Sequence, residues 1–239
     1  MQGSCARRER RFVQRWLEAG FDVLFPPRCV GCGAKGTDWC SDCDRSLSRL
    51  KGRLCPGCGR ALGSRGTCPD CEYRPLPLVV RSCARYDGPL VRAVLHLKYR
   101  PNPRLAAVMA GWLAEIYRRE GWQATLVVPV PLGRERLRQR GYNQAGLVAS
   151  ELAKALGLPA EPEGLKRARE TRSQVGLDTL ARLRNVEDAF QAHPPAVAGH
   201  TVLLVDDLYT TGATLSSCAQ ALISGGAHQV LGLTVGRAR

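Results

Sequence analysis

No stretch of this chain approaches the roughly 20 consecutive apolar residues that a membrane-spanning helix needs. Its basic N-terminus is not followed by the uninterrupted apolar segment of a secretory signal. Both absences point to a cytoplasmic protein without a transmembrane segment. Aromatic residues are scarce, at 6% of the 239, which argues against a surface that holds nucleic acid chiefly by stacking bases. The four histidines (His96, His193, His200 and His228) stand apart from one another and from other ligand types. An isolated imidazole of this kind reads as structural or exposed. Acidic residues are also short: 21 Asp and Glu stand against 35 Lys and Arg, for a net charge of +14. That excess suits polyanionic partners such as nucleic acid, phosphorylated substrates or an anionic membrane, and equally a solvated arginine-rich surface. The remaining composition, 44% hydrophobic and 23% charged, is that of a globular chain able to bury a core in one or two domains.

Cysteine is the exception to this scarcity. Of eleven, eight fall in four CxxC pairs: Cys29/Cys32, Cys40/Cys43, Cys55/Cys58 and Cys68/Cys71. Disulfides are not expected in a cytoplasmic chain, and thiolates at i and i+3 on a tight turn can share one tetrahedral metal. Gly33 and Gly59 follow the second cysteine of a pair and let the knuckle turn. Seven residues separate Cys32 from Cys40 and nine separate Cys58 from Cys68, intervals that suit short hairpins. The simplest arrangement is two consecutive four-cysteine zinc sites, 29/32/40/43 and 55/58/68/71. A cross-brace joining 29/32 to 55/58 is the alternative pairing, and redox pairs or an iron–sulfur cluster are the alternatives to zinc. Two four-thiolate zinc sites would together lower the net charge of +14 by four. Arg28, Lys35, Arg45, Arg49, Lys51, Arg53, Arg60 and Arg65 surround the cysteines and suit either phosphate contact or simple solvation. Cys5, Cys83 and Cys218 are isolated and read as small hydrophobes.

The chain divides into three parts. Residues 1–25 carry the pattern of an amphipathic helix. Phe12, Val13, Trp16, Leu17, Phe21 and Leu24 recur at spacings of three and four, arginines occupy the other face, and Pro26-Pro27 ends the segment. Such a stripe either packs on its own domain or meets a membrane or partner. Residues 26–74 form the cysteine-rich module, which has too few aliphatic residues for a core of its own and needs a staple. The segment "RPLPLVV", Arg74 to Val80, leads into a third part, 78–239, where apolar strands alternate with helices. Strands are expected at Leu126 to Val130, in "TVLLVDD" and in "VLGLTVG". Helices are expected in "AGLVASELAKALGL", closed by Gly157, and in "ATLSSCAQALISGGA". The alternation argues an α/β fold on a parallel sheet.

The densest chemistry lies in "VLLVDDLYTTGAT", Val202 to Thr214. A parallel strand delivers its C-terminal end to the crevice where α/β proteins bind ligands. The free N–H groups of the helix that follows favour an anion. Thr210, Thr211 and Thr214 add hydroxyl donors, and Gly212 lets the backbone approach a phosphate. Asp206 and Asp207 would repel that phosphate but suit the vicinal hydroxyls of a sugar. A diol beside a 5′-phosphate is a ribose phosphate. An ordinary strand end with a threonine N-cap needs one Asp and one Thr, and the whole string fits that poorly.

The string resembles the ribose-5-phosphate motif of type I phosphoribosyltransferases, which bind 5-phosphoribosyl-1-diphosphate (PRPP). With "VVPVPLGRERLRQRGYNQAGLVASELAKALGL" and "RETRSQVGLDTLARLRNVEDAF" behind paired CxxC motifs, the chain resembles the ComF family of competence-associated proteins from about residue 20 to 237. The resemblance implies a type I phosphoribosyltransferase-like parallel sheet flanked by helices, preceded by a double zinc ribbon. By the same resemblance Asp206 and Asp207 hold the ribose hydroxyls of PRPP or another ribose 5-phosphate ligand. Thr210, Thr211, Gly212, Ala213 and Thr214 cradle its 5′-phosphate, and Mg²⁺ accompanies PRPP. Leu132 to Asn143 falls where this fold places its diphosphate loop, with Arg134, Arg136, Arg138 and Arg140 supplying charge. Residues 166–185 correspond to a mobile closing loop, in which Arg172, Gln174, Arg182 and Arg184 are candidates to reach the diphosphate. Those arginines suit a polyanion equally.

One departure matters. Thr210 stands where purine-salvage relatives have an acidic general base, which disfavours a 6-oxopurine substrate. Nothing in the sequence identifies an accepting nucleophile or a base-recognition hood, unless the cysteine-rich module serves as one. Two readings therefore stay open. One is a PRPP-binding protein that handles single-stranded DNA during natural transformation, with partners in the DNA-uptake machinery. The other is an active phosphoribosyltransferase on a small-molecule or non-purine acceptor. Tyr99 in "LKYR" and Tyr142 in "RGYN" are the clearest aromatics inside basic clusters, each as well suited to packing.

Overall fold

The computed structural model describes residues 26–63, 68–168 and 189–238. The expected N-terminal helix over 1–25 lies outside these residues.

Four strands form one parallel sheet: β1 (Val79–Arg85), β2 (Leu126–Pro129), β5 (Thr201–Tyr209) and β6 (Gln229–Arg237), in the order β1-β6-β5-β2. Val79 pairs with Leu231, Thr201 with Gln229 and Leu126 with Val202. A sheet covered on both faces needs apolar residues at consecutive positions, and Val202, Leu203, Leu204 and Val205 are all fully buried. On one face, Leu203, Val205, Leu233 and Val235 meet α3 (Gly88–Tyr99), α4 (Pro103–Arg119) and α6 (Gln144–Leu156). On the other, Val202, Leu204 and Val230 meet α8 (Ala213–Ser224) and a small antiparallel pair, β3 (Leu165–Arg167) with β4 (Phe190–Ala192). A four-residue helix, α7 (Pro194–Val197), leads from β4 toward β5. Each fully buried leucine of these layers contributes about 1.5–3 kcal/mol by leaving water.

Local signals set the helix ends. Asn102 caps α4 by accepting the N–H of Leu105 at 2.9 Å, ahead of Pro103 in the first turn. Gly157 closes α6 in the left-handed region at φ 68°. One expectation needs correction. The strand expected to end at the aspartates continues to Tyr209, because β6 also runs on and holds Leu208 opposite Gly236 and Tyr209 opposite Arg237. Within the segment Leu132 to Asn143, Arg134–Arg140 form a short helix, α5. Its "RERLRQR" has no apolar stripe, which is why periodicity does not announce it.

The cysteine-rich module lacks a core of its own and borrows the sheet's. It carries two short helices, α1 (Ser41–Arg45) and α2 (Pro69–Tyr73). Cys29, Trp39, Cys43 and Leu47 join the cluster around α3 and α4, and Cys55, Cys58 and Cys68 join the opposite one. Trp39 meets Trp112 of α4 edge-on with centroids 5.4 Å apart, and Trp112 Nε1 donates to Asp44 at 2.9 Å. Arg49 completes this joint, pairing with Asp44 at 3.0 Å and lying over the Trp112 ring at 5.6 Å. The module also covers the edge of β1 that β6 leaves open. Leu50 N–H donates to Cys83 O, Arg85 N–H to Ser48 O and Val80 N–H to Gly57 O, at 2.8–3.0 Å.

Candidate functional site

The eight paired cysteines gather into two clusters. Within each, Cys29, Cys32, Cys40 and Cys43 or Cys55, Cys58, Cys68 and Cys71, all four sulfurs lie within 4.8 Å of one another. Zn–S bonds of about 2.3 Å put tetrahedral sulfurs about 3.8 Å apart. The observed separations agree: 3.7 Å for Cys29–Cys43, 3.6 Å for Cys32–Cys40 and 3.5 Å for Cys58–Cys68. Backbone N–H groups of Cys40 and Cys43 point at the sulfurs of Cys29 and Cys40 at 3.3 and 3.4 Å, as thiolate acceptors require. The grouping is consecutive rather than cross-braced. Two four-cysteine sites of this geometry are consistent with two structural zinc ions.

The second cluster sits against the end of the sheet. Arg237, the last residue of β6, is buried and donates from Nη1 to Cys58 O at 2.6 Å, with Nη2 3.5 Å from Cys58 Sγ. Its guanidinium lies 4.1 Å from the ring centroid of Tyr209, the last residue of β5. Burial pushes the Tyr209 phenol up to about 12, with Arg237 opposing. The Tyr209 ring packs in turn against Gly212, where any Cβ would collide with it. A continuous line of contacts therefore joins the second cluster to the loop that opens α8.

That loop is Thr210–Thr214. Gly212, at φ 80°, is the N-cap of α8, a left-handed position that glycine takes without strain. Thr211 Oγ1 accepts the N–H of Ala213 at 3.4 Å, and Ser216 N–H bonds Gly212 O. The first-turn N–H groups of α8 thus face the C-terminal edge of the sheet, an arrangement that favours an anion.

Both aspartates are within this edge. Asp207 is buried, its Oδ2 3.2 Å from Lys98 Nζ and accepting from Gln144 Nε2 at 3.3 Å. Asp206 Oδ1 accepts the N–H of Asp207 at 2.8 Å. Burial, and then the neighbouring Asp207, hold the Asp206 carboxyl well above the usual carboxylate range.

The "RGYNQ" string locks the opposite side of the crevice. Arg140 Nη1 donates to Gln144 Oε1 at 3.0 Å and its guanidinium lies 5.7 Å from the Tyr99 ring centroid. Gly141 ends α5 at φ 75°. Tyr142 OH donates to Leu97 O at 2.7 Å, and Asn143 both caps α6 and donates to Val130 O at 2.9 Å. Of the four α5 arginines, Arg140 is thus linked to Asp207 through Gln144. Arg134 and Arg138 are exposed and Arg136 is half-buried on the same short helix. Arg172, Gln174, Arg182 and Arg184 lie outside the described residues. Sequence reasoning missed Lys98, Gln144 and Arg237 as parts of the site. Lys98 and Gln144 stood inside strings already singled out, "LKYR" and "RGYNQA", whereas nothing around the "GRAR" ending marked Arg237.

A parallel sheet with a glycine–threonine loop at its C-terminal edge, fronted by two four-cysteine clusters, defines a phosphoribosyltransferase-fold protein with a double zinc ribbon. The phosphoribosyl transferase domain family matches residues 97–235, and the double zinc ribbon domain family matches residues 20–72. Full-length relatives narrow the class. The DNA utilization protein YhgH of Salmonella typhi is 34% identical over 198 residues, spanning 80% of this chain and 86% of the relative. The competence protein ComFC of Bacillus subtilis is 29% identical, covering 78% of each chain. Competence protein F of Haemophilus influenzae is 28% identical over 80% of this chain and 93% of its own. The chain belongs to the ComF family. Among the described residues, no helix is long and apolar enough to cross a membrane.

Proposed function

We propose that the chain binds PRPP with Mg²⁺ at the C-terminal edge of the sheet and, in the cytoplasm, handles single-stranded DNA taken up during natural transformation. The observation that carries the reading is the junction of β5 and α8. There two adjacent aspartates precede Thr210, Thr211, a left-handed Gly212 and Thr214 at a helix N-terminus. Asp206 and Asp207 accept from the ribose hydroxyls. The N–H groups and hydroxyls of Thr210–Thr214 take the 5′-phosphate. Arg140, with Arg134, Arg136 and Arg138 on the same helix, lies on the side where the diphosphate extends, and Arg172, Arg182 and Arg184 are its further candidate contacts. Mg²⁺, arriving with PRPP, would neutralise diphosphate charge. Lys98 and Gln144 hold Asp207 in place through its Oδ2. The names of the relatives, competence and DNA utilization, and the net charge of +14 support DNA as the macromolecular partner, with proteins of the uptake machinery beside it.

A second reading is an active transferase. A nucleophile would attack C1 of the ribose as the C–O bond to diphosphate breaks, and the diphosphate would leave carrying both bonding electrons. The intact cradle favours it; Thr210, unable to act as a base at neutral pH, makes a 6-oxopurine acceptor unsuitable. Titration of PRPP with Mg²⁺ against thermal stability tests the shared core of both readings. A ligand at 100 times its Kd adds about 2.7 kcal/mol, and Asp206→Asn/Asp207→Asn should abolish the shift. No stabilisation of the native chain overturns PRPP recognition. In parallel, oligonucleotide affinity should fall steeply with rising salt; an affinity that stays level removes the DNA reading.

A further inference from the structure

Between Ala189 and Gly236 the only Asp, Glu, Lys or Arg residues are Asp206 and Asp207, so all 35 Lys and Arg lie elsewhere. This uncharged stretch builds β4, α7, β5, α8 and nearly all of β6. β5 and β6 lie inside the sheet, which leaves β4, α7 and α8 to form an uncharged outer face. A groove of about 380 Å³ runs there between β4 and α8. Phe190, Gln191 and Ala192 line one side and Ser217, Gln220 and Ala221 the other, and no charged side chain lines it. Beside it on α8, Ile223 is 44% exposed.

The groove follows an open strand edge. Ala168 N–H donates to Ala189 O at 2.9 Å and His193 N–H to Gly164 O at 3.0 Å. These bonds bracket Gln191, which stands opposite Lys166. Residues of an antiparallel ladder alternate between bonding the neighbouring strand and facing away from it. Gln191 therefore turns its N–H and C=O toward β3, while Phe190 and Ala192 turn theirs toward the groove. Among the described residues, β4 pairs with no strand other than β3. Monomeric proteins usually blunt such an edge with lysine or proline, and "FQA" carries neither.

We infer that the groove seats β4 of a second copy of this chain, antiparallel about a two-fold axis beside Gln191. Phe190 then meets Ala192 of the partner subunit, and each such pair exchanges N–H···O bonds in both directions, so the edge is complementary to itself. Charge selects this occupant. A net charge of +14 makes copies repel one another, and on this face they meet without opposing cations. A polyanion finds no cation in the groove. Lys166 and Arg167 belong to β3, across β4 from the open edge; Lys166 lies 3.5 Å from Glu163, and the Arg167 guanidinium 5.6 Å from the Phe190 ring centroid. A three-residue strand covers only part of the roughly 800 Å² per partner that a stable dimer buries, so the contact extends along α8 over Gln220 and Ile223. The inference does not depend on the PRPP reading.

Sedimentation velocity of the zinc-loaded full chain over a wide concentration range tests it. The native chain should sediment as a dimer at high concentration and dissociate on dilution. Gln220→Arg places a cation in the groove of both copies at an exposed position and should weaken the dimer at least tenfold. Ala155→Arg adds the same charge at an exposed position of α6 and should leave association unchanged. Ala192→Pro, which deletes an edge N–H where proline is tolerated, should also weaken it. Amide exchange supplies a second readout. The Phe190 and Ala192 N–H groups should be protected in the dimer and lose protection on dilution, while those of Gln191 and His193, already bonded to the β3 segment, should not change. A native chain that stays monomeric overturns the inference, whatever other protein it binds. So does a dimer indifferent to both Gln220→Arg and Ala192→Pro, or equal protection of Phe190 and Ala192 at every concentration.

Discussion

Asp206 stands on β5 with one carboxylate oxygen on the N–H of Asp207, while Lys98 Nζ and Gln144 Nε2 lie against Asp207 Oδ2. Burial and that neighbouring carboxylate hold its own carboxyl well above the usual range. The effect on stability has a definite sign. A carboxyl with a higher pKa folded than unfolded binds its proton more tightly in the folded chain, so stability is lost as pH rises from the ordinary carboxylate range through the raised value. Asp206→Asn removes that loss. At neutral pH the variant should therefore unfold at a higher temperature than the native chain, by about 2–4 °C for each kcal/mol relieved in a chain of this size. The gain should shrink toward acid pH, where the native carboxyl is already protonated. Thermal unfolding across pH values at which both chains retain zinc checks this, and an equal or lower Tm at neutral pH would mean that Asp206 carries no such strain. The same substitution deletes a proposed diol acceptor, so the stabler protein should respond less to PRPP, the usual exchange of stability for function at a binding site.

At the scale of elements, the β5–α8 junction depends on one glycine. Gly212 takes φ 80° with the Tyr209 ring in the space a Cβ would need. Gly212→Ala should cost about 1–2 kcal/mol for the left-handed backbone alone, and displacement of Tyr209 adds to it. Gly157→Ala is the control. Gly157 is also left-handed, at φ 68°, but nothing lies within 4 Å of the added Cβ, and it closes α6 far from the loop. Both variants should lose several degrees of Tm, and only Gly212→Ala should lose stabilisation by PRPP. Equal PRPP responses would show that the loop does not need its present shape. The junction was legible in the sequence because each local choice agreed: apolar run, carboxylates, hydroxyls, glycine, helix. Where β5 ends was not legible, since Leu208 and Tyr209 stay in the sheet only because β6 extends beside them. Nor was α5, whose arginines carry no periodic stripe. Lys98, Gln144 and Arg237 become site residues through partners that the fold brings from distant segments, and no spacing along the chain expresses that.

At the scale of the whole molecule, the two cysteine clusters are chemically alike and mechanically different. The first is tied to α4 through Trp39, Asp44, Arg49 and Trp112, on the side of the sheet away from the loop. The second reaches the loop through Cys58, Arg237, Tyr209 and Gly212. Because the module has little core of its own, each metal site contributes folding energy directly. Losing the second should also release Arg237, a buried guanidinium that holds Cys58 and covers Tyr209. Elemental analysis should find two zinc ions per native chain and one in either Cys32→Ser or Cys58→Ser. Both variants should be less stable than the native chain. With one zinc lost from each, Cys32→Ser should keep its thermal response to PRPP and Cys58→Ser should lose most of it, while far-UV circular dichroism shows the α/β sheet retained in both. Arg237→Gln, with two zinc ions bound, should reproduce the Cys58→Ser loss of response. If the two cysteine variants respond to PRPP alike, the contact line from the second cluster is packing without consequence. If Arg237→Gln responds like the native chain, the link does not run through that guanidinium. The expected pattern requires zinc to act on the ligand site from one ribbon only, which a staple shared evenly by the module would not produce.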